Sequence, residues 1–207
     1  MEKTVHKITN INRNHKIVLV IKNRGIKEIL EILRQTGIKR LAENRLDEAE
    51  KKFPTLHPGI EKHYIGKLQS RKKKEIVRLF DVIQSMENIS QAEKINAVGK
   101  KIKVMIQVNI SRLPQRCGVM PENFKSLLLS LKKFTNLEII GVMGLASADQ
   151  KKARAEFKLL KTLQGDLKEC SMGMSDDYQI AMEEGSTMLR LGRIMFEDAL
   201  PQTRKYE

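Results

Sequence analysis

Lys22 stands at the end of the apolar run Ile17-Val18-Leu19-Val20-Ile21. A lysine at the mouth of a buried strand is expected to be partly desolvated, which disfavours the ammonium and frees a neutral amine to attack an aldehyde. The plainer alternative is a lysine that lays its stem on apolar surface and keeps its charge in water. A second set of residues lies far down the chain. Ser171-Met172-Gly173-Met174-Ser175, followed by Asp176 and Asp177, reads as a strand that turns into a helix. Small residues let the backbone approach a ligand closely, and N–H groups at a helix start favour an anion. Arg190-Leu191-Gly192-Arg193 offers another tight backbone segment. Each segment alone is no more than a turn. An amine for an aldehyde and two loops for a phosphate make one site only if a fold brings them together.

The elements that must do so alternate along the chain. Strand candidates are Lys16–Lys22, Arg40–Asn44, Lys62–Leu68, Val82–Met86, Lys103–Ile110, Leu137–Ser147, Cys170–Ser175 and Met188–Phe196. Helical spacing marks Ile26, Ile29, Leu30 and Leu33, closed by Gly37, and then Arg45–Phe53, Ser70–Phe80, Ile89–Lys101, Pro121–Phe134, Lys151–Leu167 and Asp177–Gly185. A reduced last helix is expected over Ala199–Glu207, and the N-terminal helix is expected to be short. Strict β-α alternation with continuous apolar strands implies a parallel sheet. Eight such strands favour an α/β fold of the TIM-like (β/α)8 barrel type, with its site at the C-terminal ends of the strands. A doubly wound open sheet is the alternative, but the G-x-G-x-x-G turn after its first strand is absent. The chemistry-bearing residues cluster where the barrel wants them: Lys22 after strand 1, Glu43 and Asn44 after strand 2, Gln69 and Ser70 after strand 3, Ser85 near the end of strand 4, Asn109 near the end of strand 5, and the two glycine segments after strands 7 and 8.

The 207 residues suit one domain over 1–207, and 41% hydrophobic residues supply a core. No run of eighteen apolar residues offers a membrane span, and the polar, basic start lacks a secretory pattern, so the cytoplasm is the expected location. Cys117 and Cys170 have neither C-x-x-C spacing nor a nearby His/Cys cluster and read as two free thiols rather than a disulfide or a metal site. The net charge of +14 raises the question of nucleic acid. The densest run, Lys67–Arg78, carries Ile76, Val77 and Phe80 at helical spacing and reads as an amphipathic helix with a solvated basic face. No Trp and three Tyr leave no stacking surface beside it, which weighs against nucleic acid.

The segments AENRLDEA (42–49), HYIGKLQSRK (63–72), FDVIQSMENISQAEKI (80–95), VNISRLPQRCGV (108–119), GVMGLAS (141–147) and SMGMSDDYQIAMEEGSTMLRLGRIMF (171–196) together resemble the pyridoxal phosphate homeostasis proteins, the YggS/PROSC-like family, related in fold to the N-terminal barrel of alanine racemase. The resemblance runs from about residue 16 to residue 197. It implies pyridoxal 5′-phosphate (PLP) as cofactor, with Lys22 as the Schiff-base lysine. It implies Ser171, Gly173, Gly192 and Arg193 at the phosphate and Arg190 facing the pyridine nitrogen. Asn44, His63, Ser85, Asn109 and Met143 would line the ring, although His63 reads equally well as a satisfied core histidine. Around the lysine the chain departs from the family: Ile21 precedes it, where Ser is usual, and Asn23-Arg24 follows, where Thr-Lys is usual. The implied function is buffering or delivery of PLP without substantial catalysis, by a monomer whose partners are PLP and PLP-dependent apoenzymes. Two alternatives stand beside it. A PLP-dependent amino-acid racemase needs an acid/base group on each face of Cα, and none of Tyr64, Tyr178 and Tyr206 is an obvious second base. A nucleic-acid-binding protein would use the Lys67–Arg78 helix and hold PLP as a secondary ligand.

Overall fold

The computed structural model describes Ile11 and residues 15–197. Eight strands pair in chain order and in parallel: β1 (Lys16–Val20), β2 (Arg40–Glu43), β3 (Glu61–Tyr64), β4 (Val82–Met86), β5 (Ile102–Val108), β6 (Leu137–Gly144), β7 (Glu169–Ser171) and β8 (Met188–Leu191). β8 returns to β1, with Lys16 beside Met188 and Leu19 beside Leu191, and closes the barrel. The helices are α1 (Ile26–Thr36), α2 (Leu46–Lys52), α3 (Lys73–Leu79), α4 (Ile89–Asn96), α5 (Phe124–Leu131), α6 (Gln150–Gln164), α7 (Tyr178–Glu183) and α8 (Arg193–Glu197). One follows each strand. The TIM-like (β/α)8 barrel expected from the alternation is the fold.

The strands read as unbroken apolar runs because both of their faces are buried. On β1 the outward residues Ile17 and Leu19, continued by Ile21, join the large cluster packed under the helices, while Val18 and Val20 face inward with Ala42, Val82, Met105, Met143 and Met188. Alternation of side chains across the pleat does this sorting. α1 buries Ile29 and Ile32 and stops at Gly37, whose φ of 64° gives the left-handed cap that a side chain disfavours. Asp149 opens α6 by accepting the Lys151 and Lys152 amides.

Several strands end earlier than the apolar runs suggest. β3 stops at Tyr64 rather than Leu68, because the chain at Gly66 presses on β2's exit: a Cβ there would lie 2.1 Å from the Asn44 carbonyl oxygen. β7 stops at Ser171 rather than Ser175, where Gly173 at φ +94° breaks the extended backbone. The expected strand Met188–Phe196 is β8 only to Leu191; beyond Gly192, Ile194-Met195-Phe196 turns on the helix α8. An apolar run of three has no period from which strand and helix can be told apart. Short 3-10 turns, Ser70–Lys72 and Pro121–Asn123, open α3 and α5. The helix expected at Ala199–Glu207 lies outside the described residues, as does Tyr206.

No helix among the described residues is long and apolar enough to cross a membrane. Cys117 and Cys170 are both free, and burial pushes the Cys170 thiol up to about 12. The outer core is pinned by Phe80, fully buried and edge-on to Phe53 (5.2 Å) and Tyr64 (5.1 Å). Phe80→Ala should cost about 3–5 kcal/mol through lost burial and the cavity left behind. Urea unfolding measures it; a loss below about 1 kcal/mol would mean that this junction does not hold the barrel.

Candidate functional site

Five side chains form one hydrogen-bonded line through the barrel. At the C-terminal end, Arg190 is 3% exposed; its Nη2 donates to the Gly144 carbonyl (2.8 Å) and its Nη1 to Ser171 Oγ (2.6 Å). A guanidinium only donates. Ser171 therefore accepts from Arg190, and its own proton goes to Gln84 Oε1 at 2.8 Å. That orients the Gln84 amide, whose Nε2 donates to His63 Nδ1 at 2.8 Å and approaches Met188 Sδ at 3.4 Å. His63 is thereby the Nε2–H tautomer, and Nε2 donates to Glu61 Oε2 at 3.2 Å. Glu61 opens β3 at the opposite end, where Lys103 (3.0 Å) and Arg40 (3.4 Å) also reach it. Every donor in the line points from the fixed cation to the carboxylate.

The electrostatics follow that order. Burial pushes the Arg190 guanidinium down to about 10, opposed by Asp177 and Cys170, so it remains a cation at neutral pH. Burial also lowers His63, against the raising influence of Glu61, and keeps the imidazole neutral. The hydrogen bond from His63, helped by Lys103, holds Glu61 down at about 2 in spite of its partial burial.

Lys22 lies two residues beyond Val20, on the inward parity of β1, and it is exposed. The desolvation expected to activate it is not what the fold supplies. The fold supplies placement. The Ile21 carbonyl accepts from the Arg24 amide (3.2 Å) and from Lys52 Nζ (3.1 Å). Lys52, itself buried, also pairs with the fully buried Glu43 (3.0 Å), whose other oxygen takes the Asn44 and Arg45 amides. Asn23 makes the turn at φ 57°, a conformation that Asn tolerates better than most residues. Arg24 then lies 4.6 Å over the Phe196 ring and ties this turn to α8.

The two glycine segments meet. Arg190 N–H donates to the Gly173 carbonyl (3.0 Å), Ile194 N–H to Ser175 Oγ (3.3 Å), and Arg193 pairs with Asp176. A Cβ on Gly173 would sit 2.6 Å from Ala181 Cβ, and one on Gly192 would sit 3.3 Å from Val20. The Met174 amide is taken up internally by Asp177 Oδ1 (2.5 Å). Other expected site residues are occupied in structural roles. Ser85 Oγ donates to the Gly66 carbonyl (2.6 Å), and Asn109 Nδ2 holds the Leu113 (2.9 Å) and Arg116 (3.2 Å) carbonyls of the loop after β5. Met143 packs in the interior cluster, His63 is a satisfied interior histidine, and Asn44 is exposed at the β2 exit. Ser171 accepts from Arg190 and donates to Gln84. Sequence reasoning did not single out Gln84, Glu61 or Lys52. Only Gln84 left a signal, as an uncharged polar residue inside the five-residue strand VIQSM, buried throughout.

The alanine racemase N-terminal domain family matches residues 1–199. The pyridoxal phosphate homeostasis protein of Synechocystis sp. is 35% identical over 89% of this chain and 92% of its own, and that of Aquifex aeolicus is 30% identical over 86% and 83%. The structure of PipY from Synechococcus elongatus PCC7942 with PLP bound superposes with a TM-score of 0.84 at 28% identity, covering 93% of this chain and 99% of PipY. Alanine racemase of Clostridium difficile, at 18% identity and a TM-score of 0.75, shares the fold.

Gln84→Leu removes the one group that both accepts from Ser171 and donates to His63. Two orphaned partners at about 1–3 kcal/mol each predict a loss of about 2–6 kcal/mol, read by denaturant unfolding; near-neutral behaviour would break the line as drawn. Acid stability is the second expectation. His63 is depressed in the fold, so the unfolded chain takes up its proton first and stability declines below about pH 6.5. Glu61 is also depressed, so its contribution is present above about pH 4.5 and is lost as pH falls toward its folded value of about 2. Glu61→Gln, which can still accept from His63, should remove the second decline in unfolding measurements between about pH 5 and 3 and leave the first.

Proposed function

The chain belongs to the family of the alanine racemase N-terminal domain, and from that premise we propose that it binds pyridoxal 5′-phosphate and serves homeostasis of that cofactor by buffering or delivering it, as a single cytoplasmic barrel domain over residues 1–207 that acts as a monomer. The observation that carries the reading is the gathering of an accessible lysine, a buried guanidinium and two tied glycine segments at the C-terminal ends of one barrel's strands. The donor set fits the cofactor. Lys22 offers a primary amine for the aldehyde, and the tight backbone around Gly173, continued by that of Gly192 and Arg193, leaves no room for side chains beside a phosphate. Arg190 offers its guanidinium to the pyridine nitrogen.

When bound, the cofactor supplies an electron-withdrawing ring conjugated to the lysine-bound carbon. What this chain's residues do sets the limit on its use. Arg190 keeps its protons and has no lone pair to accept one, so a ring nitrogen facing it would accept a hydrogen bond and stay unprotonated, which makes the ring a weaker electron sink. Racemisation would also need a second base opposite Lys22. Tyr64 is buried, donates to the Lys67 carbonyl (3.1 Å) and is raised by burial, and Tyr178 is buried on α7. Both features favour a holder of the cofactor over a catalyst. The free thiols Cys117 and Cys170 suit a reducing compartment. Apoenzymes that depend on PLP are the partners this role calls for.

Borohydride reduction followed by digestion and mass spectrometry should place the trapped adduct on Lys22, and Lys22→Ala should lose both the adduct and the visible absorbance of the lysine-bound cofactor. An adduct on another lysine would reassign the site. Interconversion of L- and D-amino acids, followed by chiral chromatography, should stay far below about 1 s⁻¹, the low end of ordinary turnover. Faster conversion that disappears in Lys22→Ala would make the protein a racemase.

A further inference from the structure

A buried ion pair holds the exit of β1. Lys52, the last residue of α2, is 7% exposed, and its ammonium has three partners: Glu43 Oε2 (3.0 Å), Glu48 Oε2 (3.2 Å) and the Ile21 carbonyl (3.1 Å). Glu43 is fully buried and is pinned in turn, because its other oxygen accepts the Asn44 (2.8 Å) and Arg45 (3.3 Å) amides. Taking two charges out of water is costly, and a buried ion pair seldom stabilises a fold more than apolar residues of the same volume would. Stability is thus a poor reason for a charged pair at this place, and the contact with Ile21 supplies a better one.

The Ile21 carbonyl belongs to the peptide unit that joins Ile21 to Lys22. The Ile21 amide donates to the Ala42 carbonyl (3.0 Å), and the Arg24 amide turns back to the Ile21 carbonyl (3.2 Å). A peptide unit is planar, so fixing its carbonyl fixes how the Lys22 Cα is presented. Lys22 itself is exposed on a flexible stem. An amine of that kind reacts efficiently only when its base is aimed at the reacting carbon. We propose that Lys52 is a positioning residue: by holding the Ile21 carbonyl it aims Lys22 into the barrel mouth, and it thereby gives the site a preference for the aldehyde form of the cofactor over the alcohol form. The inference rests on the reading of Lys22 as the amine that takes the aldehyde. In that condensation the nitrogen bonds to the aldehyde carbon, and the aldehyde oxygen leaves as water with the two protons of the neutral amine. The alcohol form, pyridoxine 5′-phosphate, has the same ring and phosphate and cannot condense. Contacts to ring and phosphate act on both forms alike; the aim of Lys22 acts on the aldehyde alone.

The test is calorimetric titration of the full-length chain with pyridoxal 5′-phosphate and with pyridoxine 5′-phosphate, alongside the visible absorbance of the lysine-bound cofactor. Lys52→Met should weaken binding of the aldehyde form about tenfold or more, since a small misplacement of a reacting group is costly, and should leave the affinity for the alcohol form unchanged. Lys16→Met removes a paired lysine from the opposite end of the same strand and should change neither. Because Lys52→Met strands Glu43, a double variant is needed. Lys52→Met/Glu43→Gln removes both charges, keeps an acceptor for the Asn44 and Arg45 amides, and must show the same split. Parallel loss of both forms, or failure of the double variant to fold, would make the pair structural and overturn the proposal. So would an aldehyde affinity and an absorbance untouched by Lys52→Met. Lys22→Ala should bring the aldehyde form down to the affinity of the alcohol form. If the natural protein shows no preference for the aldehyde and Lys22→Ala changes nothing, the reading of Lys22 falls and the role of Lys52 with it. A preference that depends on Lys22 and not on Lys52 overturns the role of Lys52 alone.

Discussion

A guanidinium cannot shed its proton, so burying Arg190 obliges the barrel to surround it with acceptors. Gly144 supplies a carbonyl and Ser171 a hydroxyl oxygen. Once Ser171 accepts from Arg190, its proton must leave in the other direction, and Gln84 takes it. That choice orients the Gln84 amide, selects the tautomer of His63 and leaves Glu61 as the terminal acceptor. None of these groups can be turned without orphaning a neighbour in a space with almost no water. Aligned dipoles of this kind strengthen one another in a low dielectric. The mouth of the barrel is in this way tied to its floor through side chains contributed by β8, β7, β4 and β3.

Three lysines show how differently one residue type is used. Lys52 is buried and fully paired, and it clamps the β1 exit through the Ile21 carbonyl and the β2 exit through Glu43. Lys22, beside that clamp, is exposed. Lys73, at the start of α3, has its stem covered by its neighbours. Packing decided among these outcomes: Lys22 and Lys52 each have an apolar neighbour in the chain and differ in burial, and Lys73 is covered although it stands between Lys72 and Lys74.

The same placement constrains chemistry at the mouth. The proposed cofactor site has one exposed amine, a donor-only guanidinium held by Ser171 and Gly144, and backbone held by the contact between the β7 and β8 exits. The Ser171 hydroxyl accepts from Arg190 and donates to Gln84, which fixes the direction of the whole line.

The amino-acid sequence alone determined the barrel. Pleat alternation and helical spacing are local, and eight repeats of strand and helix with both strand faces apolar admit few other folds. It also placed Lys22, Gly173, Arg190 and Gly192 at the ends of strands. Exact strand ends escaped it, because the stop at Tyr64 comes from the Gly66–Asn44 contact and the turn into α8 comes after a glycine in an otherwise apolar run. The partners of polar groups escaped it more completely. Gln84 and Ser171 are 87 residues apart and Lys16 and Glu169 are 153 apart. Spacing along the chain carries no record of such pairs; they exist only because closure of β8 on β1 brings distant strands side by side. Burial is decided in the same way, by the summed packing of neighbours from several elements, and so only the tertiary structure could separate an exposed Lys22 from a buried, paired Lys52.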